Sequence, residues 1–575
     1  MRTYILFVAV IFFFSCKEQV TVEDFVLNVR LTKDPGYLNP FYSPQSVSRE
    51  VYQYIFLPAA DFHPESLELH PILLEKIPEP QDTFINGKEM VYYDLDFKDD
   101  IQWSDGNSLT AKDYMFTMLM IKHPQSKIMA WKPYFQALRL VENDAKDLTR
   151  VRVYYDADYM LSREAAVTSY IMPSHVFDPD NHLVSKAQKI IEEAESYKTD
   201  DSLEMRIVEQ TNSSVNLKED IVQLGPYELR EFETDAYVIL DAKDNYWGSN
   251  YPDNVFLQQN PDRLIFRVVP DEISALNMAG EQKLDVLSLR SSQRFIELKD
   301  DSLFAKEWNF HTPQLFQYYY LSLNNKSDVL SDVQVRKALR HLVDVDYYIE
   351  NIEGGLGTRT IGHFNPAKAY YNNDIEPAKY DVEMAKALLN NASWQDSDGD
   401  GLLEKYINGR LQEMELDIFI TGSELSQKIA LLFQQACAQA GIQINIITKA
   451  SSLLRKENLI TFDYDIAALA ITSDASPDDP YSRWHSDNAI PGKRNHAGYA
   501  NPVADELIDK IRTTTDVEQR EKYYLELQKV MHEDVPVIFL YSPFLKVLTS
   551  SRLEATTTSK RPGYMVNSFK LKESI

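Results

Sequence analysis

Cysteine and positive charge are both scarce in this chain. Its 575 residues include two cysteines, of which Cys437 lies in an amphipathic helical pattern and is expected in a core. The 59 Lys and Arg residues are outnumbered by 87 Asp and Glu, which gives a formal charge of −28, and no basic run stands out. Because a phosphate-binding surface needs clustered positive charge, we expect no nucleic-acid partner.

The sequence also lacks the motifs of common enzyme classes. It contains no His-Glu-x-x-His, no Gly-x-Ser-x-Gly and no P-loop, and its eleven histidines are scattered. The glycine-rich segment Glu353–Gly357 follows a helical pattern and predicts a loop rather than a dinucleotide site. These absences favour a binding protein without a cofactor over an enzyme. A catalytic carboxylate pair among the acidic residues stays open as an alternative.

The N-terminal apolar segment is too short to span a bilayer. It begins after Arg2 and ends at Ser15-Cys16, beyond which the chain is polar, as is typical of a signal peptide. Ser15-Cys16 resembles a bacterial lipobox, which implies acylation of Cys16, with palmitate among the acyl groups. We therefore predict a lipoprotein signal peptide at 1–16 and a linker at 17–25 on an exported periplasmic or surface protein. An ordinary secretory signal is the alternative.

Strand and helix patterns alternate along the rest of the chain, which predicts an α/β fold with mixed sheets. Thr110 and Asp113 have the spacing of a capping box at a helix start. Further on, the strand Leu416–Ile420, a helical repeat from Leu425 to Ala440 and the strand Ile442–Ile447 form a β-α-β unit.

This β-α-β unit leads into an apolar strand that ends in a carboxylate-rich loop. The segment 469–481 contains Asp474, Asp478 and Asp479 together with serines and prolines. Loops at the ends of buried strands are the usual ligand sites of open α/β sheets. The same residues also favour turns, so a solvated turn is the alternative interpretation.

A second acidic segment matches the first half of a calcium-binding loop. Asp396, Asp398 and Asp400 place oxygens at alternate positions, with Gly401 at the sixth. The twelfth position lacks the bidentate Glu of such loops, although Glu404 at the ninth could partly substitute. A weak calcium site and a tight Asp/Gly turn are both consistent with this pattern.

Seven short motifs follow one another along the chain. They are Leu38-Asn-Pro40, Trp103–Tyr114, Gly225–Leu229 with Asn245–Trp247, Gly280–Asp285, Val333–Leu339, Tyr380–Leu389, and Gly498–Asn501 with Asp505–Leu507. Together they resemble the family 5 extracellular solute-binding proteins, which are the substrate-capturing subunits of peptide, dipeptide and nickel ABC importers. The resemblance extends from about Val26 to the C-terminus.

This resemblance implies a two-lobed periplasmic-binding-protein fold of type II with mixed sheets and an extra inserted domain. The two lobes would be joined by crossing strands and would close over the ligand. The implied boundaries place lobe I at 26–49, 201–312 and 541–575, the inserted domain at 50–200, and lobe II at 313–540.

The resemblance also implies a ligand contact. Peptide-binding members use an Asp in a Gly-Trp-x-x-Asp-like loop to pair with the α-amino group, and this position is Asp474 here, next to Ala470, Thr472 and Ser473. A carboxylate shielded from water pairs strongly with an ammonium group. Because Ala470 and Ile471 replace the usual Gly and aromatic residue, we expect the aromatic side of the pocket to differ.

We therefore predict a monomeric binding lipoprotein that captures oligopeptides and delivers them to an ABC transporter permease. Its contact with the membrane would be the lipid on Cys16. One alternative keeps the fold but changes the ligand to a nickel chelate, an opine or an oligosaccharide. The other is an exported hydrolase.

Overall fold

The computed structural model describes residues 24–43, 45–143, 146–194, 196–214 and 221–573. Cys16 and the predicted signal peptide lie outside these ranges, so the lipid anchor stays a prediction. Over the described residues, no helix combines the length and the apolar character needed to cross a membrane.

The first of the two main sheets has seven strands. Its central strand, Val26–Leu31, is parallel to both neighbours, and Leu27, Val29 and Leu31 are fully buried. These three residues alternate along the strand, so their side chains lie on the same face of the sheet. The strand order across the sheet is Trp308–His311, Lys546–Ser550, Val286–Leu289, Val26–Leu31, Arg263–Val268, Tyr237–Ala242, Tyr227–Glu233.

The second main sheet has five strands and contains the predicted β-α-β unit. The strand Glu415–Ile420, the helix Glu424–Gln439 and the parallel strand Gln443–Thr448 confirm that prediction within one or two residues at each end. The central strand, Ile466–Thr472, is parallel to one neighbour and antiparallel to the other. The strand order is Gln443–Thr448, Glu415–Ile420, Ile466–Thr472, Gln317–Leu323, Val537–Phe539.

A four-stranded antiparallel sheet lies early in the chain, and short two-stranded ladders lie elsewhere. The helix Ala111–Lys122 packs on this sheet, and its start confirms the predicted capping box, since Thr110 N donates to Asp113 Oδ2 at 2.8 Å. The four strands, in sheet order, are Gln81–Ile85, Lys88–Asp96, Arg150–Asp156, Leu138–Asn143. The ladders pair Ala60–Phe62 with Leu69–Pro71, Gly357–Arg359 with Tyr541–Pro543, Glu404–Ile407 with Arg410–Glu413, and Leu553–Glu554 with Lys570–Leu571.

Aspartate side chains begin many of the helices. Those of Asp201, Asp271, Asp332, Asp381 and Asp516 accept hydrogen bonds from the first-turn amides, which satisfies donors that have no partner within the helix. The α-helices are Ser46–Tyr52, Ala111–Lys122, Ser162–Thr168, Ser174–Phe177, Ala187–Glu192, Ser202–Ser213, Glu272–Gly280, Ser292–Asp300, Phe304–Glu307, Val333–His341, Val345–Tyr347, Val382–Asn391, Glu424–Gln439, Ser451–Leu453, Tyr481–Trp484, Pro502–Thr513 and Val517–Asp534.

The chain passes between the two main sheets at residues 312–316 and 540–545, which we call the crossing segments. They lie side by side, because Leu545 N donates to Pro313 O at 2.9 Å. Asn365 fastens them further, since its Nδ2 donates to Leu315 O at 2.8 Å and to Ser542 Oγ at 3.0 Å. The observed architecture confirms the α/β class with mixed sheets, whereas the domain boundaries stay predictions.

Candidate functional site

The strand Ile466–Thr472 has one buried face and one open face near its end. Ala470 and Thr472 are exposed and pair with Tyr319 and Gln317 of the adjacent strand. The side chain of Ile471 points the other way and is buried in a core cluster with Tyr318 and Trp484. Ile471 is therefore a core residue and does not contact the open face. The aromatic ring on the open face belongs to Tyr319, which pairs with Ala470.

The loop after this strand is held by a buried lysine that sequence analysis missed. Lys368 Nζ donates to Asp474 O at 2.6 Å and to Ser476 O at 2.5 Å. Its ammonium lies 4.9 Å from the centre of the Phe316 ring and 3.9 Å from Asp478 Oδ2. Burial lowers the pKa of Lys368, and the carboxylates of Asp478 and Asp474 oppose that shift. Lys368 thus fixes the backbone from which Asp474 projects.

The other two aspartates of the loop have structural partners. Tyr370 OH donates to Asp478 Oδ2 at 2.8 Å, and Tyr524 OH donates to Asp478 O at 2.5 Å. Burial raises the pKa of Asp478, and the charge of Lys368 opposes this shift. Asp479 accepts hydrogen bonds from Arg512 Nε at 3.1 Å and from a backbone amide two residues ahead. Both side chains shape the loop, as expected for turn residues.

Asp474 differs from them because its side chain is exposed. Its Oδ1 accepts a hydrogen bond from Ser476 N at 2.9 Å, and its charge acts on Arg49 and Lys560. Burial lowers the pKa of Lys560, and the carboxylates of Asp61 and Asp474 oppose that shift. We call Arg49 and Lys560 the cationic wall, and we call the region between them and Asp474 the cleft.

The cationic wall is organised around Asp61. Lys560 Nζ lies 2.8 Å from Asp61 Oδ2, and Arg49 Nη2 lies 3.7 Å from the same oxygen. Within the described part of the chain, Arg49 Nε is buried and has no hydrogen-bond partner. The Arg49 side chain as a whole is 42% exposed, so the rest of its guanidinium is accessible to an anionic group.

A polar contact joins the two walls beside the candidate loop. Arg561 Nη2 donates to Gln317 Oε1, which also lies 3.5 Å from Thr472 Oγ1. Glu50 lies nearby, and burial raises its pKa to about 7 while the charge of Arg561 opposes that shift. Ser473 contributes its backbone, because Ser473 N donates to Phe316 O at 2.8 Å.

The predicted calcium loop forms a group of three carboxylates separate from this cleft. The ligand oxygens of Asp396, Asp398 and Glu404 lie within 4.8 Å of one another. Asp400 is not among them, and its Oδ1 accepts a hydrogen bond from Leu402 N at 2.8 Å. Asp396 likewise accepts from two glycine amides, so the oxygens already stabilise a turn. The hydrogen bonds match the Asp/Gly turn, and a weak calcium site stays the alternative.

Two cavities lie away from the candidate loop. One is bordered by Arg340 and Arg359, and the other is bordered by Phe41, Met172 and Phe177. No residue of the segment 469–481 lines either cavity. The candidate site is therefore described by its charged side chains, and neither of these cavities belongs to it.

Comparison with known sequences gives relatives of several ligand types. The chain is 25% identical over 523 residues to the oligopeptide-binding protein AppA of Bacillus subtilis, which covers 89% of this chain and 84% of AppA. It is also 25% identical over 337 residues to the nickel-binding periplasmic protein of Escherichia coli, covering 57% and 60% of the two chains.

Solved structures show the same fold. The AppA structure, in complex with a nonapeptide, has a TM-score of 0.68 at 21% identity and covers 95% of this chain and 99% of that one. NikA from Brucella suis, in complex with Fe(III)-EDTA, has a TM-score of 0.73 at 18% identity. The match covers 95% of this chain and 100% of the NikA chain. These similarities confirm the predicted periplasmic-binding-protein fold.

A family model also matches this chain directly. The model describes the bacterial extracellular solute-binding proteins, family 5, middle region, and it matches residues 91–492, which is more than half of the chain. This match confirms the resemblance predicted from the seven motifs. The protein belongs to the bacterial extracellular solute-binding proteins of family 5.

Proposed function

We propose that the protein captures oligopeptides in the cleft between its two main sheets and delivers them to an ABC permease. The observation that carries the proposal is the opposition of charges across the cleft. Asp474 lies on one wall, and its charge acts on Arg49 and Lys560 of the other. A peptide is a zwitterion at neutral pH, so its α-amino group suits Asp474 and its carboxylate suits the cationic wall.

The open strand face supports the same ligand class. Ala470 and Thr472 leave room above the sheet, and Tyr319 and Gln317 border it. Backbone groups at the end of this strand suit an extended peptide. Hydrogen bonds between main chains do not depend on the ligand's side chains, so peptides of different sequence can bind. The relatives described above include a peptide binder that aligns over most of this chain.

A carboxylate-rich metal chelate is the second candidate ligand. The observation that favours it is the cationic wall, where the side chain of Arg49 is 42% exposed. Arginine binds carboxylates well because its planar donors match their geometry. The negative charge of Asp474 would repel the carboxylates of such a chelate. We therefore favour a peptide as the ligand.

Native mass spectrometry of the purified full chain would test the proposal. We expect adducts that dissociate on activation and have the masses of short peptides. Fragmentation should then give amino-acid mass differences. Adducts with the isotope pattern of a transition metal would contradict the peptide proposal and support the chelate. Turnover of a peptide library by the protein would contradict the proposal that it binds without catalysis.

We also propose that Cys16 carries a lipid that tethers the mature protein to a bacterial membrane. The support is the short apolar segment before Ser15-Cys16. Replacing Cys16 with Ala should move the protein from the membrane fraction to the soluble fraction after export, because one modification site would supply the acyl chains. Equal membrane association of the parent and C16A proteins would rule out this anchor. Because an uncleaved signal peptide would also retain the variant, the mature N-terminus should be determined in parallel.

A further inference from the structure

A buried ionic cluster lies beside the crossing segments, far along the chain from the candidate loop. Its centre is Glu353, which begins the glycine-rich segment Glu353–Gly357. Lys546 Nζ lies 3.3 Å from Glu353 Oε2 and 3.0 Å from Ser292 Oγ. Ser292 Oγ also donates to Glu353 Oε2, and Tyr541 OH donates to Glu353 Oε1 at 2.9 Å. Each of these residues is at most 6% exposed.

The members of this cluster come from both halves of the molecule, by which we mean each main sheet together with the helices and loops that pack on it. Lys546 starts a strand of the seven-stranded sheet, and Ser292 starts the helix that follows a neighbouring strand. Glu353 follows the π-helix Tyr348–Ile352, whose Tyr348 is buried in the core under the five-stranded sheet. The carboxylate of one half of the molecule is therefore neutralised by the lysine of the other half.

Packing around the cluster also joins the two halves. Gly354 has φ +58°, and a Cβ at this position would lie 2.1 Å from Cδ1 of Ile296 in the helix Ser292–Asp300. Leu356 packs into the cluster of apolar side chains under the seven-stranded sheet. Leu356 O accepts a hydrogen bond from Phe544 N of a crossing segment at 3.1 Å. Gly354 thus allows the segment Glu353–Gly357 to lie directly against the helix Ser292–Asp300.

We propose that Glu353 is the pivot about which the two halves of the molecule move when the cleft opens and closes. A movement that separated Glu353 from Lys546 would leave a buried charge without its partner, which is strongly unfavourable. Movements that keep this contact therefore have the lowest energy, and they are rotations centred near the crossing segments. Glu353 is a positioning residue in this proposal, since it acts through the placement of the sheets. The proposal depends on the solute-binding role of the family and not on which solute is bound.

Distances between spin labels on the two halves would test this pivot. Cysteines for labelling can replace the exposed residues Glu233, on a strand of the seven-stranded sheet, and Gln427, on a helix against the five-stranded sheet. In this labelled protein, Glu353→Gln should broaden the distance distribution and add a population at longer distance. The control is Glu533→Gln, which also leaves a lysine, Lys337, without its carboxylate, but on the surface of one half. It should leave the distribution unchanged.

A purely stabilising role for Glu353 would give a different result. In that case E353Q would lower the melting temperature while its distance distribution superimposed on that of the parent, and this result would overturn the proposal. If E353Q does not fold, Tyr541→Phe removes one hydrogen bond from Glu353 and keeps the ion pair. A smaller broadening is then expected, and an unchanged distribution in folded Y541F would equally overturn the pivot.

Discussion

Replacing Asp474 with Asn should weaken the binding of short peptides about 100-fold, or roughly 2–3 kcal/mol. The amide keeps the shape of the side chain but removes the charge that would pair with the ligand's α-amino group. The effect is expected to be large because the proposed closure of the cleft would shield this pair from water. A charge-assisted hydrogen bond is strongest in such a shielded setting. Isothermal titration calorimetry with a series of alanine peptides would measure it.

Two controls separate this pairing from a general disturbance of the loop. Asp479→Asn removes a charge from the same loop, but Asp479 is engaged by Arg512, so peptide affinity should stay nearly unchanged. The second control is an N-acetylated peptide, which has no charged α-amino group. It should bind the parent protein as weakly as the free peptide binds D474N. Its affinity for D474N should be little lower than its affinity for the parent. Equal affinities of D474N and the parent for the free peptide would show that Asp474 does not bind the amine.

Replacing Lys368 with Met should cost about 3 kcal/mol of stability, since removing one partner from a buried ionic contact leaves the other groups unpaired. Met has a similar length and fits an apolar setting, so the main loss is electrostatic. The carbonyls of Asp474 and Ser476 would lose their donor, and Asp478 would lose a cation 3.9 Å away. A lower urea midpoint would report this loss.

The same variant should also bind peptide more weakly at temperatures where it is fully folded, because the backbone of Asp474 is no longer fixed. The matched control is Lys510→Met, which removes an exposed lysine paired with Glu506 on one helix. Such surface pairs contribute at most about 1 kcal/mol, so its urea midpoint should shift little. A K368M protein with the midpoint of the parent would refute the anchoring role of Lys368.

Local patterns in the sequence predicted the elements around the candidate site well. The β-α-β unit, the strand before the loop and the capping box at Thr110 and Asp113 all follow from spacing along a short segment. Spacing of this kind is set by the geometry of helices and strands, so it is visible without the fold. Even the placement of Asp474 at the end of a strand could be predicted.

The partners of that loop could not be predicted in the same way. Lys368 is 106 residues from Asp474, and Arg49 and Lys560 lie near opposite ends of the chain. Their juxtaposition depends on how the sheets pack, and the spacing of residues along the sequence does not reveal it. The glycine-rich segment at Glu353 is a similar case: the sequence predicted a loop, but only packing shows that its carboxylate meets Lys546.

The position of the strand Lys546–Ser550 has a consequence for how the protein is made. This strand lies between Trp308–His311 and Val286–Leu289, so it holds an edge strand onto a sheet whose central strand is Val26–Leu31. The seven-stranded sheet therefore cannot be completed until residue 550 has been synthesised. Sheets that depend on such distant pairings form slowly. While residues 546–550 are missing, the strands Trp308–His311 and Val286–Leu289 lack the partner that they share.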